Sequence, residues 1–297
     1  MNADSAVSLA AGDVRAIFWP DAGMLCASFC HRGAELLRRI EDLKAAKVKG
    51  STAGIPLLYP WANRLDSLRY HAGGSDVVLD PSSPLLHFDD RGLPMHGVPW
   101  GQLHWKSVAV ESDSMLARLD WGRPDLLTVF PYPHELEMAA TLSPDALTLA
   151  ITVLANGATR VPISFGFHPY FGIPQLPRQQ WRVELPVMRR LLLDPRGIPT
   201  GRQEPFGPVD SPLGEMNFDD AFAVMDAQPS FSLSGAGRRI TVTFLEGFRY
   251  AQVFAPKNKD FIALEPMTAP TSALTSGQLH VVEPGAEFQA SFRVSVQ

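Results

Sequence analysis

The sequence predicts an all-β protein built as a large antiparallel β-sandwich. Three observations carry this expectation. Short runs of alternating apolar and polar residues recur along the 297 residues. The 23 glycines and 26 prolines are scattered between those runs instead of being pooled in a linker. No strand–helix–strand rhythm is present. Many short strands with Gly/Pro turns and no crossover helices read as sheet packed on sheet.

Taken in order, the first runs are Val14–Trp19 and Met24–Cys30. Glu41–Val48 is the only fair helix candidate, and it is short. Strands are expected next at Leu103–Val110, Met115–Trp121, Glu135–Leu142 and Leu147–Leu154. Pro144-Asp145 between the last two is a turn signal, so that pair reads as a hairpin. Trp181–Leu185, Ile240–Leu245, Tyr250–Phe254, Phe261–Leu264 and Phe288–Val296 complete the set. Alternation is clearest in Ile240-Thr241-Val242-Thr243-Phe244, where apolar side chains fall on one face. No repeat or low-complexity segment divides the chain, so residues 1–297 read as one domain. Sandwiches can run to this order of size as one unit.

Composition narrows the function classes. Hydrophobic residues make up 45% of the chain and charged residues 19%, ample for a large core. Net charge is -5, the pI is about 5.9, and no Lys/Arg stripe marks a nucleic-acid partner. Cys26 and Cys30, four apart on one expected strand, would sit about 13 Å apart at ~3.3 Å per residue. That exceeds disulfide reach. Two free, buried thiols fit a reducing compartment. Met1–Gly12 lacks a basic region followed by a long apolar one, so it is not a signal peptide. No apolar run has the length of a membrane span. The expectation is a cytoplasmic protein with neither nucleic acid nor membrane as a partner.

Polar residues with chemical potential are concentrated in a few places. Phe165-Gly166-Phe167-His168-Pro169 and Phe261-Ile262-Ala263-Leu264-Glu265-Pro266 each run from apolar residues to one titratable residue and then a proline. Proline lacks a backbone donor, so each strand is expected to stop there and present its side chain at the sheet rim. His and Glu are the commonest acid/base side chains. A histidine at a strand end is about as often a hydrogen-bonded core residue. A carboxylate beside a buried run is harder to dismiss, because it needs partners or a shifted pKa. Pro60-Trp61-Ala62-Asn63-Arg64 is a structured loop that delivers Asn63 and Arg64, whose guanidinium fork suits hydroxyl or carboxylate oxygens. The plain alternative is a surface Arg64 paired with Asp66. Met95-His96-Gly97-Val98-Pro99-Trp100 is a second loop, with His96 as a candidate and Trp100 as an apolar platform for a sugar ring; a lone loop histidine is more often structural. Asn217-Phe218-Asp219-Asp220-Ala221-Phe222 places two acids among aromatics, where they could equally cap a turn. No His-x-x-x-His spacing, Gly-rich phosphate loop, Gly-x-Ser-x-Gly elbow or Cys-x-x-Cys pair is present. No metal or other cofactor is expected.

In this order, these segments resemble the aldose 1-epimerase (mutarotase) family. The pieces are Pro60-Trp61-Ala62-Asn63-Arg64, Met95-His96-Gly97, His168-Pro169-Tyr170-Phe171, Asp219-Asp220-Ala221-Phe222, Leu264-Glu265-Pro266 and Val282-Glu283-Pro284-Gly285. Each is weak alone; together they span the chain from the Arg64 loop to the C-terminus. The resemblance implies a galactose mutarotase-like supersandwich with a concave sugar site. It implies Glu265 as general base, His168 as general acid and His96 assisting at the ring oxygen. It implies that Arg64 and Asp219 hold hydroxyls. Two departures touch the pocket. Pro266-Met267 follows the Glu where familiar galactose mutarotases have Thr-Gln, and Gly97-Val98-Pro99 follows the first His where they have two glycines. The chain reads as a divergent bacterial-type member.

These residues suit anomer interconversion of a free aldose. A base takes the C1 hydroxyl proton, an acid protonates the ring oxygen, the ring opens, C1–C2 rotates and the steps reverse. Both groups act in both directions, so a raised carboxylate and a histidine held protonated are expected. A neutral sugar must be held by directed hydrogen bonds and an aromatic platform. Asn63, Arg64 and Asp219 are the expected donors and acceptors, and Trp61, Trp100, Tyr170 and Phe171 the platform candidates. A hexose-6-phosphate 1-epimerase is the alternative enzyme, requiring cations at the rim, with Arg91 and then Arg69 as candidates. A non-catalytic carbohydrate-binding protein on the same scaffold would be expected to have lost Glu265 or His168; both are present.

Overall fold

Apolar alternation is converted directly into a buried face. In Arg238–Glu246 the residues Ile240, Val242 and Phe244 are buried, and in Glu135–Ser143 the residues Leu136, Met138, Ala140 and Leu142. Strand side chains point alternately to opposite faces, so each strand contributes one apolar row. The computed structural model describes residues 6–39 and 52–297. The expected helix Glu41–Val48 lies outside the described residues.

Two large antiparallel sheets result. One has nine strands, in the spatial order Val209–Pro212, Arg182–Leu185, Ser230–Gly235, Arg238–Glu246, Glu287–Val296, Ala146–Leu154, Glu135–Ser143, Ser114–Asp120 and Lys106–Val110. The other has eight. Pro199–Phe206, Met188–Leu193, Phe218–Val224, Tyr250–Ala255, Ile262–Met267, Gly166–Phe167 and Leu57–Leu58 follow one another, and Tyr170–Phe171 also pairs with Ile262–Met267. Among the described residues, a four-stranded sheet, Val7–Ala11 to Ala34–Glu35, one short hairpin, Arg69–Ala72 with Ser75–Val78, and a long-range pair, Val161–Ile163 with His280–Val282, complete the set. The expected hairpin at Pro144-Asp145 forms, with Ser143 opposite Ala146.

Aromatic residues join the two large sheets. Phe167 of the eight-stranded sheet lies 5.1 Å, centroid to centroid, from Phe292 of the nine-stranded one, and Phe248 packs against both. Burying one such ring contributes about 1.5–3 kcal/mol, so this seam is a principal source of cohesion. Arg178 is fully buried. It donates to the carbonyls of Gly214, Met216, Ala255 and Lys259, tying loop and strand ends together.

All eleven expected strands are present, with ends shifted by a few residues. Two expectations need correction. Cys30 is only half-buried, although both cysteines are free. The register of its strand shifts between Ile17 and Phe18 of its neighbour, which disturbs the alternation assumed from sequence. The Glu265 strand also does not stop at Pro266; it runs Ile262–Met267. Pro266 is tolerated because its carbonyl, and with it its nitrogen, points toward Gly166, whose pairing partner is Met267. On that side the neighbouring chain breaks at His168-Pro169, so no donor is needed from residue 266.

Candidate active site

Three adjacent strands of the eight-stranded sheet build the floor of a cavity of about 390 Å³. The register sets which side chains face it. Gln252 lies opposite Glu265, and Asp219 opposite Phe254. All four line the cavity. Glu265 therefore projects from mid-strand, not from a rim. Asp219 and Asp220 are consecutive, so they point to opposite faces. Asp219 lines the cavity, while Asp220 turns away to Arg190, 3.3 Å from its Nε.

Two loops form the walls, and backbone bonds fasten them together. The His96 amide donates to the Asn63 carbonyl (2.8 Å), the Leu65 amide to Pro94 (2.9 Å) and the Val98 amide to Tyr59 (2.9 Å). Asn63 and His96 both adopt positive φ, 56° and 62°. This conformation is uncommon for residues with a Cβ and is held only where the surroundings over-determine it. Gly97 has a separate reason to be glycine. Its φ is 65°, and a Cβ there would lie 2.2 Å from the Tyr59 carbonyl oxygen.

His168 follows directly after the short strand Gly166–Phe167, and its amide donates to the Pro56 carbonyl, 3.1 Å. Its Nε2 is 3.3 Å from Glu265 Oε1 and 3.1 Å from the Tyr170 hydroxyl. The Tyr170 ring stacks on the imidazole, with centroids 4.2 Å apart and planes at 9°. The His96 ring meets His168 edge-on at 5.7 Å. Arg64 Nε donates to Asp89 at 2.6 Å and its Nη1 to Asn63 Oδ1 at 3.0 Å. The partner of Arg64 is thus Asp89, not Asp66.

Electrostatics follow from burial. Glu265 and His168 are both buried. Burial, aided by the Asp219 carboxylate, pushes Glu265 well above the usual carboxylate range. Burial, with His96 and then Arg38 adding to it, pushes His168 well below its ordinary value. That corrects the expectation of a histidine held protonated: desolvation disfavours the imidazolium, and two basic neighbours add to it. His96 is lowered to about 3 by burial, Arg64 and His87, so it acts as a neutral imidazole.

The structure thus brings Glu265, His168, His96, Arg64, Asn63, Asp219 and Tyr170 to one cavity. Trp100 is not among the residues lining it. It is 4% exposed and packs on Ala22 and Leu25 behind the His96 loop. Gly23 comes so close to it that a Cβ would sit 2.6 Å from the Trp100 carbonyl oxygen. Trp61 and Phe171 are fully buried core residues. Phe171 follows Tyr170 on a strand, so when one ring faces the cavity the other faces the core. Sequence reasoning missed Thr52, His87, Met95, Gln252 and Phe254. Gln252 had a visible signal, a lone amide in the apolar run Tyr250–Ala255. It is buried, donates to Asp219 at 2.8 Å, and its Oε1 has no partner among the described residues.

Three comparisons bear on this arrangement. An Escherichia coli K12 protein of uncharacterised function, YphB, is 31% identical over 174 residues, a match spanning 54% of each chain. A galactose mutarotase-like protein from Clostridium acetobutylicum superposes with a TM-score of 0.83 at 17% identity, covering 99% of this chain and 95% of that one. Galactose 1-epimerase from Lactobacillus acidophilus gives 0.76 at 14%, covering 96% and 92%. At those identities the two structures speak for the galactose mutarotase-like sandwich fold. The aldose 1-epimerase family profile matches residues 7–295, almost the whole sequence, and the chain belongs to that family.

Proposed function

We propose that this protein interconverts the α and β anomers of a free aldose, with Glu265 as general base and His168 as general acid. The observation that carries the reading is the 3.3 Å approach of these two buried groups at the floor of a cavity of sugar size. The pair needs one proton. As carboxylate and imidazolium it takes the C1 hydroxyl proton on Glu265 and gives the His168 proton to the ring oxygen. The open-chain aldehyde then faces a carboxylic acid and a neutral imidazole, and the proton count of the pair is unchanged. Burial favours that neutral form, while attraction at 3.3 Å favours the ion pair. A pair balanced between them serves a reaction that runs both ways. His96, neutral, offers one hydrogen bond beside the ring oxygen. Arg64, Asn63, Asp219 and Gln252 supply hydroxyl contacts, and Tyr170 and Phe254 supply aromatic surface. Polarimetry or NMR over a panel of aldoses tests this. Glu265→Gln and His168→Asn should each lower turnover by about 10²–10⁴-fold. Near-normal activity in either variant removes that residue from the mechanism.

One observation favours a second reading, a phosphorylated hexose. Arg64 and Arg91 converge on Gly197, where a Cβ would meet their Nη1 atoms at 3.2 and 3.5 Å. The neutral aldose remains the better reading because Arg64 is paired with Asp89 and the floor carries Asp219 and Glu265. A higher kcat/KM for glucose 6-phosphate than for glucose, lost in Arg91→Ala, would reverse that order.

A further inference from the structure

Asp89 does not line the sugar cavity, but Arg64, which does, is fastened to it. Its Oδ1 accepts the backbone amides of Arg91 and Leu93, each at 2.9 Å, and its Oδ2 accepts Arg64 Nε at 2.6 Å. One oxygen thus shapes a turn ahead of the His96 loop, and the other holds a guanidinium from the neighbouring loop. The side chains of Asp89 and Arg64 are 4% and 15% exposed, so water and salt screen the pair little. Burial opposes the charge on Asp89. The Leu93 amide, the Arg64 guanidinium and the Arg91 amide together outweigh it and hold the carboxyl below its usual range, so Asp89 is ionised at neutral pH.

The guanidinium is gripped from two sides. Asp89 occupies its Nε edge, and Asn63 Oδ1 takes an Nη1 hydrogen at 3.0 Å. Two of the five N–H donors of a planar, rigid fork are used, which fixes where the others point. We propose that Asp89 is a positioning and specificity-determining residue: it aims Arg64 at a substrate hydroxyl and cancels its charge, so that the cavity takes a neutral aldose in preference to the phosphate ester. The catalytic consequence rests on the epimerase reading above. A hydroxyl oxygen accepts a hydrogen bond from Arg64 whether or not the charge is compensated. A phosphate is drawn by the net charge of its surroundings, which Asp89 brings close to zero here. The neighbouring cations are also occupied. Arg196 Nε lies 3.1 Å from Asp194 Oδ2, and Arg91 Nη1 donates to the Arg196 carbonyl at 3.2 Å. Arg64 and Arg91 both flank Gly197. Removing the Asp89 charge would leave those two guanidinium groups side by side as an anion site. A single carboxylate outside the cavity therefore separates two substrate classes.

A residue that only caps the turn would behave differently. It would act on both ligands alike, and it would act whether or not Arg64 is present. Asp89→Asn, Asp89→Ser, Arg64→Met and the double variant Asp89→Asn with Arg64→Met separate the two roles. Asp89→Ser removes the charge but keeps a side-chain oxygen for the turn amides, which serves if Asp89→Asn fails to fold. Binding of glucose, galactose and glucose 6-phosphate is measured by calorimetry, and kcat and KM by polarimetry or NMR.

Either charge-free variant is expected to raise KM for the free aldose about 10-fold with kcat little changed. Each should also shift the preference toward the 6-phosphate by ~10-fold or more. Once Arg64→Met is present, Asp89→Asn should have no further effect on the free aldose, because Asp89 acts on it through Arg64. Losses that are equal for both ligands and persist beside Arg64→Met would show a turn cap alone and overturn the proposal. If the wild type turns over an aldose while both charge-free variants keep its preference, the proposal is overturned and the epimerase reading stands. If no aldose is turned over but the binding preference shifts as stated, the role of Asp89 is supported and the epimerase reading is what fails. Binding of neither the free sugars nor the phosphate overturns both.

Discussion

Glu265 sits where a carboxylate is costly, and the cost should be measurable in the fold itself. Its folded pKa is raised, so the native state binds more protons than the unfolded chain above the ordinary carboxylate value of ~4.3. Stability is therefore lost as pH rises through that window. His168 is shifted the other way; its contribution is complete above ~6.5 and is lost as pH falls below it. Above ~6.5 only the Glu265 effect remains. Glu265→Gln is expected to leave Tm nearly unchanged at pH 5 and to raise it at pH 8, by about 2–4 °C for each 1 kcal/mol recovered. A Tm difference independent of pH would show that the buried carboxylate is not the source. Glu265, His168 and Arg64 were legible in the sequence because a charged or titratable residue against apolar neighbours demands an explanation. The direction of the His168 shift was not legible, because it depends first on how deeply the imidazole is buried and then on His96 and Arg38, both distant in sequence. The choice between Asp219 and Asp220 also waited on the register, which settles which of two adjacent residues faces the cavity.

At the level of elements, the site depends on two loops held against each other. Gly97→Ala should destabilise the protein by more than about 1 kcal/mol, because the position has positive φ and no room for a methyl group. It should also displace His96 and lower kcat/KM, and a variant with wild-type Tm and activity would show that the loop adapts freely. Arg178→Met should cost at least ~2 kcal/mol, since it removes the donor from the buried Ala255 carbonyl and from the half-buried carbonyls of Gly214 and Met216. Chemical denaturation measures it, and an unchanged midpoint would mean water replaces the guanidinium. Some of the strands that escaped sequence reading had little to show. Pro199–Phe206 is exposed along almost its whole length, and Leu57–Leu58 and Tyr170–Phe171 are two residues each. An exposed edge strand has no apolar alternation, and a two-residue strand is too short to show any. Pro266 misled for a related reason. Whether a missing donor matters depends on which side of the strand it faces, and only the pairing partners reveal that.

For the molecule as a whole, the sandwich was legible from composition and rhythm, whereas the order of strands in its sheets was not, because neighbours such as Arg238–Glu246 and Glu287–Val296 are brought together by long-range pairing. Binding to the native state alone raises stability by mass action, about 2.7 kcal/mol at a hundredfold excess over Kd. A neutral aldose should accordingly raise Tm in a concentration-dependent way, and more than its 6-phosphate does; equal shifts, or none, would count against the neutral-sugar reading. The alternation in the three floor strands has a consequence for how such a protein can diversify. Along Phe218–Val224, Tyr250–Ala255 and Ile262–Met267, cavity-facing positions such as Asp219, Gln252 and Phe254 interleave with core positions such as Phe222, Val253 and Leu264. Exchanging residues on the first set can alter ligand preference while the second set keeps the scaffold intact. Gaining or losing one residue does the reverse, turning Glu265 into the core and an apolar side chain into the cavity. The floor is thus open to substitution and closed to insertion or deletion, so new specificities on this scaffold should arise from point changes in its strands and from length changes confined to the surrounding loops.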